Sequence, residues 1–363
     1  VTPRILASVS PGEVRVAVLR DEALLDYAIW RPGAPDGVGD LHRGRVITRV
    51  PAMAGGFLAL EGAEGFLPDS EGGVGLHEGD VVSVRITRAA QGGKGPRLTA
   101  RLAPDEIPPA RGPGALLELA QYHSDAQVLI DDSALAARLK PSLGDRVVVV
   151  TRAFDADMED QVEALAQPNI EFDGGTKLHI HPTPALVAID VDGGGTMAGR
   201  QGKAASHQTA NMAVVPQLAR QIRLRNLSGA ILVDFAGLRA RGRASLAPAL
   251  RAAMAEDPLR PRLLGFTALG LAEIVRRRVH PPLHELLSGP HAAGLAALRR
   301  IATEVAEAPH RMPVLRASSA IVAALQGDAI ALPDLARRAG RALILRSDPA
   351  LPSTAWTLET KDD

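Results

Sequence analysis

Three aspartates stand where chemistry can be built. Asp190 follows the apolar run Ala185-Leu186-Val187-Ala188-Ile189, and Asp192 comes two residues later. Asp234 follows a second run, Ala230-Ile231-Leu232-Val233, 44 residues after Asp190. Carboxylates at the ends of neighbouring core strands converge on one point. A few carboxylates, with water completing an oxygen shell, suit Mg²⁺. A cation held that way activates water and steadies the charge that grows on a phosphodiester. The same spacing also fits aspartates that merely cap helices or begin turns.

The charge around Asp234 favours the chemical reading. Lys+Arg and Asp+Glu both count 41, so any polyanion affinity has to come from a local patch. From Pro216 to His280 the chain has twelve arginines, against the acids Asp234, Glu256, Asp257 and Glu273. Clustered arginine beside carboxylates suits a polyphosphate substrate. Arg223, Arg225 and Arg276 are the candidate RNA contacts within it. Others, Arg251 included, read as a solvated helix face.

Phe57 and Phe66 matter because the chain has only six Phe. On a barrel surface they offer stacking faces to unpaired bases, worth about 1–3 kcal/mol each. Their other reading is core filling. Asp190-Val191-Asp192-Gly193-Gly194-Gly195-Thr196 invites a phosphate-loop reading. It is not a Walker loop, since Lys203 is followed by Ala204 and Met197 stands where the first glycine belongs. It is similar to the phosphate-binding turn of actin-like sugar kinases, a rival enzyme class. His179 and His181 alternate on one strand face, and His280, His284 and His291 crowd a Pro-rich stretch. Neither set has the spacing of a metalloprotease helix, so zinc is not expected.

The elements that must position these residues follow from pattern. Short strands fill the first forty residues: Arg4–Ala7, Glu13–Val18 and Leu24–Ile29. From Leu41 to Leu102, five short β-rich runs separated by glycine turns predict a small oligonucleotide-binding barrel. Residues 104–115 are a Pro/Gly linker, and a mixed helix–strand segment reaches Val150. Strands and helices then alternate from Leu178 to His280. A helix is expected over Thr209–Leu227, interrupted by Pro216, and another over Ser245–Ala255 with Ser245 as N-cap. From Ala292 the tail reads helix, strand, helix, helix, strand. Hydrophobic residues make up 46%, with no run long enough to span a bilayer. No secretory signal is visible and there is no Cys, which excludes disulfides and a thiolate zinc site and fits a cytoplasmic protein.

Together these residues resemble the catalytic half of the ribonuclease E/G family. Gly56-Phe57 and Gly65-Phe66-Leu67-Pro68 are similar to the family's S1 barrel, and the resemblance makes Phe57, Phe66 and Lys94 RNA contacts. Ile189-Asp190-Val191-Asp192 resembles the strand with the first metal-ligand Asp. The most specific match is Leu218 to Leu227, then Ile231-Leu232-Val233-Asp234-Phe235, where Asp234 matches the second ligand. Gly270-Leu271-Ala272-Glu273-Ile274-Val275-Arg276 fits a family helix. There are departures too. Asp192 stands where the family carries Asn, and Gly193-Gly194-Gly195 replaces an Ala/Arg/Thr-rich run. The paired-cysteine zinc link is absent, which argues against the family's tetramer. The segment before Asp190 is too short for the family's 5′-end sensor.

The expected fold is therefore an α+β, multi-domain chain. Residues 1–40 begin a ribonuclease H-like support, 41–103 form the S1 barrel, and 104–175 hold a linker and the rest of the support. Residues 176–288 form a DNase I-like α/β subdomain, and 289–363 a small C-terminal α/β domain. The resemblance implies an endoribonuclease for single-stranded RNA, with Mg²⁺ on Asp190 and Asp234 and with Asp192 assisting. Two alternatives remain open: an RNA-binding protein without catalysis on the same fold, and the sugar kinase. No membrane partner is expected.

Overall fold

Alternating apolar residues in the first forty positions fold as an antiparallel meander, β1 (Arg4–Ser10), β2 (Glu13–Arg20) and β3 (Ala23–Trp30). This is a computed structural model, and it describes residues 2–172, 175–193, 203–235, 237–238 and 240–359. Next, β4 (Leu41–Val50), β5 (Gly55–Leu60), β6 (Ala63–Pro68), β7 (Val81–Arg88) and β8 (Arg97–Thr99) close a barrel in the order β4-β5-β6-β8-β7. A mixed segment follows: α1 (Gly114–Tyr122), β9 (Gln127–Ile130), α2 (Ser133–Leu143), β10 (Val147–Val149) and α3 (Ala156–Ala164). After it come β11 (Asn169–Glu171), β12 (Lys177–Pro182), β13 (Val187–Asp192), α4 (Lys203–Leu224), β14 (Gly229–Phe235), α5 (Ala240–Met254), β15 (Arg262–Phe266) and β16 (Ala272–Arg276). The last elements are α6 (Leu283–Leu286), α7 (Gly289–Glu307), β17 (Val314–Ala317), α8 (Ser319–Gly327), α9 (Ala331–Ala339), β18 (Ile344–Ser347) and β19 (Trp356–Glu359). No single helix among the described residues is long and apolar enough to cross a membrane.

The chain forms two compact units. The first gathers Val1–His42, Asp105–Met158 and His284–Asp363. Its main sheet has the order β10-β9-β1-β2-β3, with Ile5, Ala7, Val16 and Val18 packed against Leu116 and Ala120 of α1. The tail has its own sheet, β18-β17-β19, and its own core around Leu295, Leu298, Ile321 and Leu325. Glu13 ties the tail to the meander. Its carboxylate is 4% exposed and is held between Arg31 at 2.9 Å and Arg299 at 2.8 Å. A charge buried so deeply is tolerated only because both partners reach it.

The second unit gathers Arg43–Pro104 and Glu159–Leu283. Its barrel is filled by Val46, Leu58, Leu67, Val84, Ile86 and Leu98. Its sheet has the order β11-β12-β13-β14-β16-β15. Along β13 and β14 every second residue is buried: Val187, Ile189 and Val191 on one, Ile231, Val233 and Phe235 on the other. These pack under α4 through Val214, Val215, Leu218 and Ile222, and under α5 through Leu246, Leu250 and Met254. A sheet covered on one face obliges this alternation, and the opposite face is left to polar side chains.

Three local expectations are corrected. The helix α4 runs through Pro216 without interruption, because the apolar positions on either side keep one helical face in the core. The helix α5 begins at Ala240, ahead of Ser245, whose hydroxyl donates to the Gly242 carbonyl at 2.8 Å instead of capping. The segment after Gly270 is the strand β16, not a helix. Its buried residues are Ala272, Ile274 and Arg276, a period of two that pairing with β14 enforces.

Pro216 is exposed and lacks the N–H that would bond the carbonyl one turn earlier. Pro216→Ala is therefore expected to stabilise the protein by about 1 kcal/mol or more. Urea unfolding of the two proteins measures the difference, and a lower midpoint for the variant would contradict it.

Candidate active site

The polar face of the second unit's sheet carries the candidate site. The strands β13 and β14 run parallel, and Asp190 is the direct register partner of Asp234. Neighbouring strands lie about 4.8 Å apart, so the two carboxylates leave the sheet side by side. Both aspartates are exposed. Asp192 lies on the same face, one pleat beyond Asp190, because β13 extends to that residue instead of ending at Asp190. The sequence expectation that Asp190 and Asp234 come together is met by this register.

The adjoining strand adds neighbours that spacing alone did not assign to the site. His179 pairs with Asp190, and Lys177 pairs with Asp192. The His179 Nδ1 is 2.8 Å from the Asn169 Oδ1, a contact that turns the other ring nitrogen away from Asn169. Lys177 is paired with Glu171 at 3.0 Å. The alternation Lys177-His179-His181 was the available signal, but only strand pairing shows which carboxylates it faces.

The donor set fits a hard divalent cation. Two adjacent, exposed carboxylates supply oxygen ligands and leave room for water to complete the shell. Among the described residues no group of three or more His, Asp or Glu gathers as a complete metal cage. The glycine run Gly194-Gly195, with Thr196 and Met197, lies outside the described residues. So does Arg239.

The three arginines expected to contact RNA are spent inside the protein. Arg276 is 4% exposed and forks onto Asp257, with Nε 2.7 Å and Nη2 3.3 Å from its carboxylate oxygens. Its Nη1 donates to Asn226 Oδ1 at 2.6 Å. Arg225 donates to Gln221, to the Gln167 carbonyl and to the Ala164 carbonyl. Burial lowers its guanidinium pKa to about 10. Arg223 donates to the Glu256 carbonyl at 2.9 Å. The run Arg223–Leu227 is thus a helix end that fastens four neighbouring segments. Asn226 takes a left-handed turn there and holds the His280 and Pro281 carbonyls. The structure places these three among buried protein partners and not on an open surface.

The barrel aromatics stand differently. Leu58 and Leu67 point inward, so Phe57 and Phe66 point outward and are half-buried. They pair across β5 and β6, with ring centroids 5.3 Å apart in an edge-to-face arrangement. Gly55 keeps the Phe66 ring seated, since a side chain there would meet it. Neither ring belongs to the barrel's buried core. Lys94 is exposed on the β7–β8 hairpin, beside Gly92 and Gly93, whose positive φ values suit a tight two-residue turn.

Two outcomes follow. Arg276→Ala leaves Asp257 buried without its partner and should cost about 3–5 kcal/mol of stability. RNA affinity per folded molecule should stay unchanged, as urea unfolding and binding isotherms together would show. Phe57→Ala with Phe66→Ala should weaken binding to a short single-stranded RNA at least tenfold and move the melting temperature little. A large fall in melting temperature with unaltered affinity would mark the rings as structural.

Comparison with known proteins agrees with this geometry. Residues 124–279, which include Asp190, Asp192 and Asp234, match the model of the ribonuclease E/G family. A chloroplastic ribonuclease E/G-like protein of Arabidopsis thaliana is 33% identical over 185 residues, which is 48% of this chain and 18% of that protein. Ribonuclease G of Escherichia coli K12 is 27% identical over 186 residues, 47% of this chain and 38% of the enzyme. Ribonuclease E of a Nostoc strain is 32% identical over 160 residues, 41% of this chain and 23% of the enzyme. The matches therefore cover less than half of each of these relatives. Residues 124–279, with Asp190 and Asp234 paired on an open sheet face, are thus similar to the ribonuclease E/G family.

Proposed function

We propose that this chain is an endoribonuclease that cuts single-stranded RNA with Mg²⁺, leaving a 5′-phosphate and a 3′-hydroxyl. One observation carries the proposal: Asp190 and Asp234 are register partners on the exposed face of a sheet inside the family-matched segment. Asp190 and Asp234 would hold the cation, and Asp192 would orient Asp234 or join the ligands. When bound, Mg²⁺ supplies Lewis-acid stabilisation of the phosphodiester and an activated water. The edge-to-face pair Phe57–Phe66 stacks unpaired bases, and Lys94 meets the backbone as a mobile point charge. In this reading the five-stranded barrel is an S1 domain. The first unit's meander sheet is the ribonuclease H-like support, and the six-stranded sheet is the DNase I-like subdomain.

The chain's own residues account for selectivity toward unpaired strands. Stacking on an exposed aromatic pair needs a base free of its duplex partner. Without a bound cation the exposed carboxylates repel RNA phosphates of any strand, since like charges in contact are repelled.

The test uses a labelled single-stranded RNA with the purified chain. Cleavage is expected with Mg²⁺ and none with EDTA. Asp190→Asn and Asp234→Asn should each lower cleavage at least a hundredfold while RNA binding in EDTA stays within about threefold of the unaltered chain. Wild-type cleavage by either variant would show that the site lies elsewhere. Binding without any Mg²⁺-dependent cleavage by the unaltered chain would favour the RNA-binding alternative.

A further inference from the structure

Three arginines in the second unit have a different character from the buried ones. Arg88 and Arg97 are register partners where β7 pairs β8, and Arg97 in turn pairs with Phe66. The end of β7 is fastened to the segment after β16: the Ala89 amide donates to the Val279 carbonyl at 2.8 Å. The Gln91 side-chain amide is 3.4 Å from the Val279 and His280 carbonyls. That fastening brings in Arg278, whose guanidinium lies against Gly229 at the start of β14. Gly229 has a φ of 83°, and a Cβ there would collide with the guanidinium.

Arg88 and Arg97 are thus paired beside the barrel's Phe66, and Arg278 is near enough for Arg88 to feel its charge. Burial, then the charges of Arg97 and Arg278, pull the Arg88 guanidinium below its ordinary pKa. Its Nε is buried and has no hydrogen-bond partner. Among the described residues no carboxylate pairs with any of the three. The contrast with Arg225 and Arg276 is sharp, since those have their donors used by carbonyls and carboxylates. Unpaired like charges held together cost stability, and such strain persists where a ligand relieves it.

We infer that Arg88, Arg97 and Arg278 form a phosphate-binding triad that grips the backbone of a single-stranded RNA whose bases stack on Phe57 and Phe66. The inference rests on the RNA-binding part of the proposed function. Guanidinium forks match phosphate oxygens, and the Arg97–Phe66 pairing sets a phosphate contact one residue from a stacking ring. Arg278 lies near Gly229, five residues before Asp234, so the triad sits about 16 Å along β14 from the carboxylates. It is a gripping site, separate from the cutting site.

Binding of fluorescein-labelled twelve-nucleotide oligouridylate is measured by anisotropy in EDTA, from 50 to 300 mM KCl. The proteins are the full chain, its single glutamine variants, the triple variant Arg88→Gln/Arg97→Gln/Arg278→Gln, and Arg251→Gln as a control on an exposed helix face. Each single-strand phosphate contact contributes a slope of about −0.7 to log affinity against log salt. The triple variant should bind at least tenfold more weakly at 50 mM, with a slope shallower by about 2. Each single variant should lose about one third of that slope, and Arg251→Gln should match the unaltered chain. Melting temperatures of the triad variants should equal or exceed the unaltered value, because repulsion is removed. An unchanged affinity and slope in the triple variant, with the Phe57/Phe66 variant still weakened, would overturn the triad and leave the RNA reading standing. A fall in melting temperature that accounts for the lost binding would overturn it in favour of a structural role. No RNA binding by the unaltered chain would overturn both.

Discussion

Parallel pairing of β13 with β14 is the constraint on which the rest of the second unit depends. The register that sets Val187 against Ile231 and Ile189 against Val233 is the one that sets Asp190 against Asp234. A slip of one residue would turn the carboxylates into the apolar layer under α4 and α5 and expose the isoleucines. The cost of burying two unpaired carboxylates excludes that alternative. Core packing and site assembly are thus one event. The energy that selects the register comes from the apolar face, and the paired carboxylates appear on the other.

Arginine is divided between two tasks in a chain of zero net charge. Arg223, Arg225 and Arg276 are buried and donate to carbonyl, amide and carboxylate oxygens. They join the end of α4 to α3, to the loop after α5 and to β16, where a Lys could not present enough fixed donors. Arg88 and Arg97 lie on the strands beside outward-facing Phe66, and Arg278 against Gly229, with no carboxylate pairing them among the described residues. A guanidinium whose donors are used is part of the scaffold. One whose donors are not is available to an anion. The barrel shows the same division among its apolar residues, with Leu58 and Leu67 inside and Phe57 and Phe66 outside.

The first unit works by a similar rule at a single point. Glu13, on β2, accepts from Arg31 and from Arg299 of α7, so residues far apart in sequence share one buried charge. Leu295 and Ala331 close against Gly12, where an added side chain would collide with both. The tail helices therefore depend on a glycine and a glutamate in the first turn of the chain.

Apolar and β-branched runs bounded by glycine and proline turns made the meander, the barrel strands and the two central strands legible in the sequence. Asp190 and Asp234 were legible for the same reason, as polar residues next to apolar runs. So were Phe57 and Phe66 as a pair, although not the side of the barrel they occupy. Only tertiary structure decided the roles of the arginines. Their positions in the chain are alike, and burial beside Asp257 or Gln221 is a property of packing, not of spacing. It also decided that the segment after Gly270 is a strand, since pairing with β14 outweighs a weak helical preference. The neighbours of the carboxylates, His179 and Lys177, were likewise fixed only by the register of β12 on β13, which brings together residues that the sequence separates by a turn.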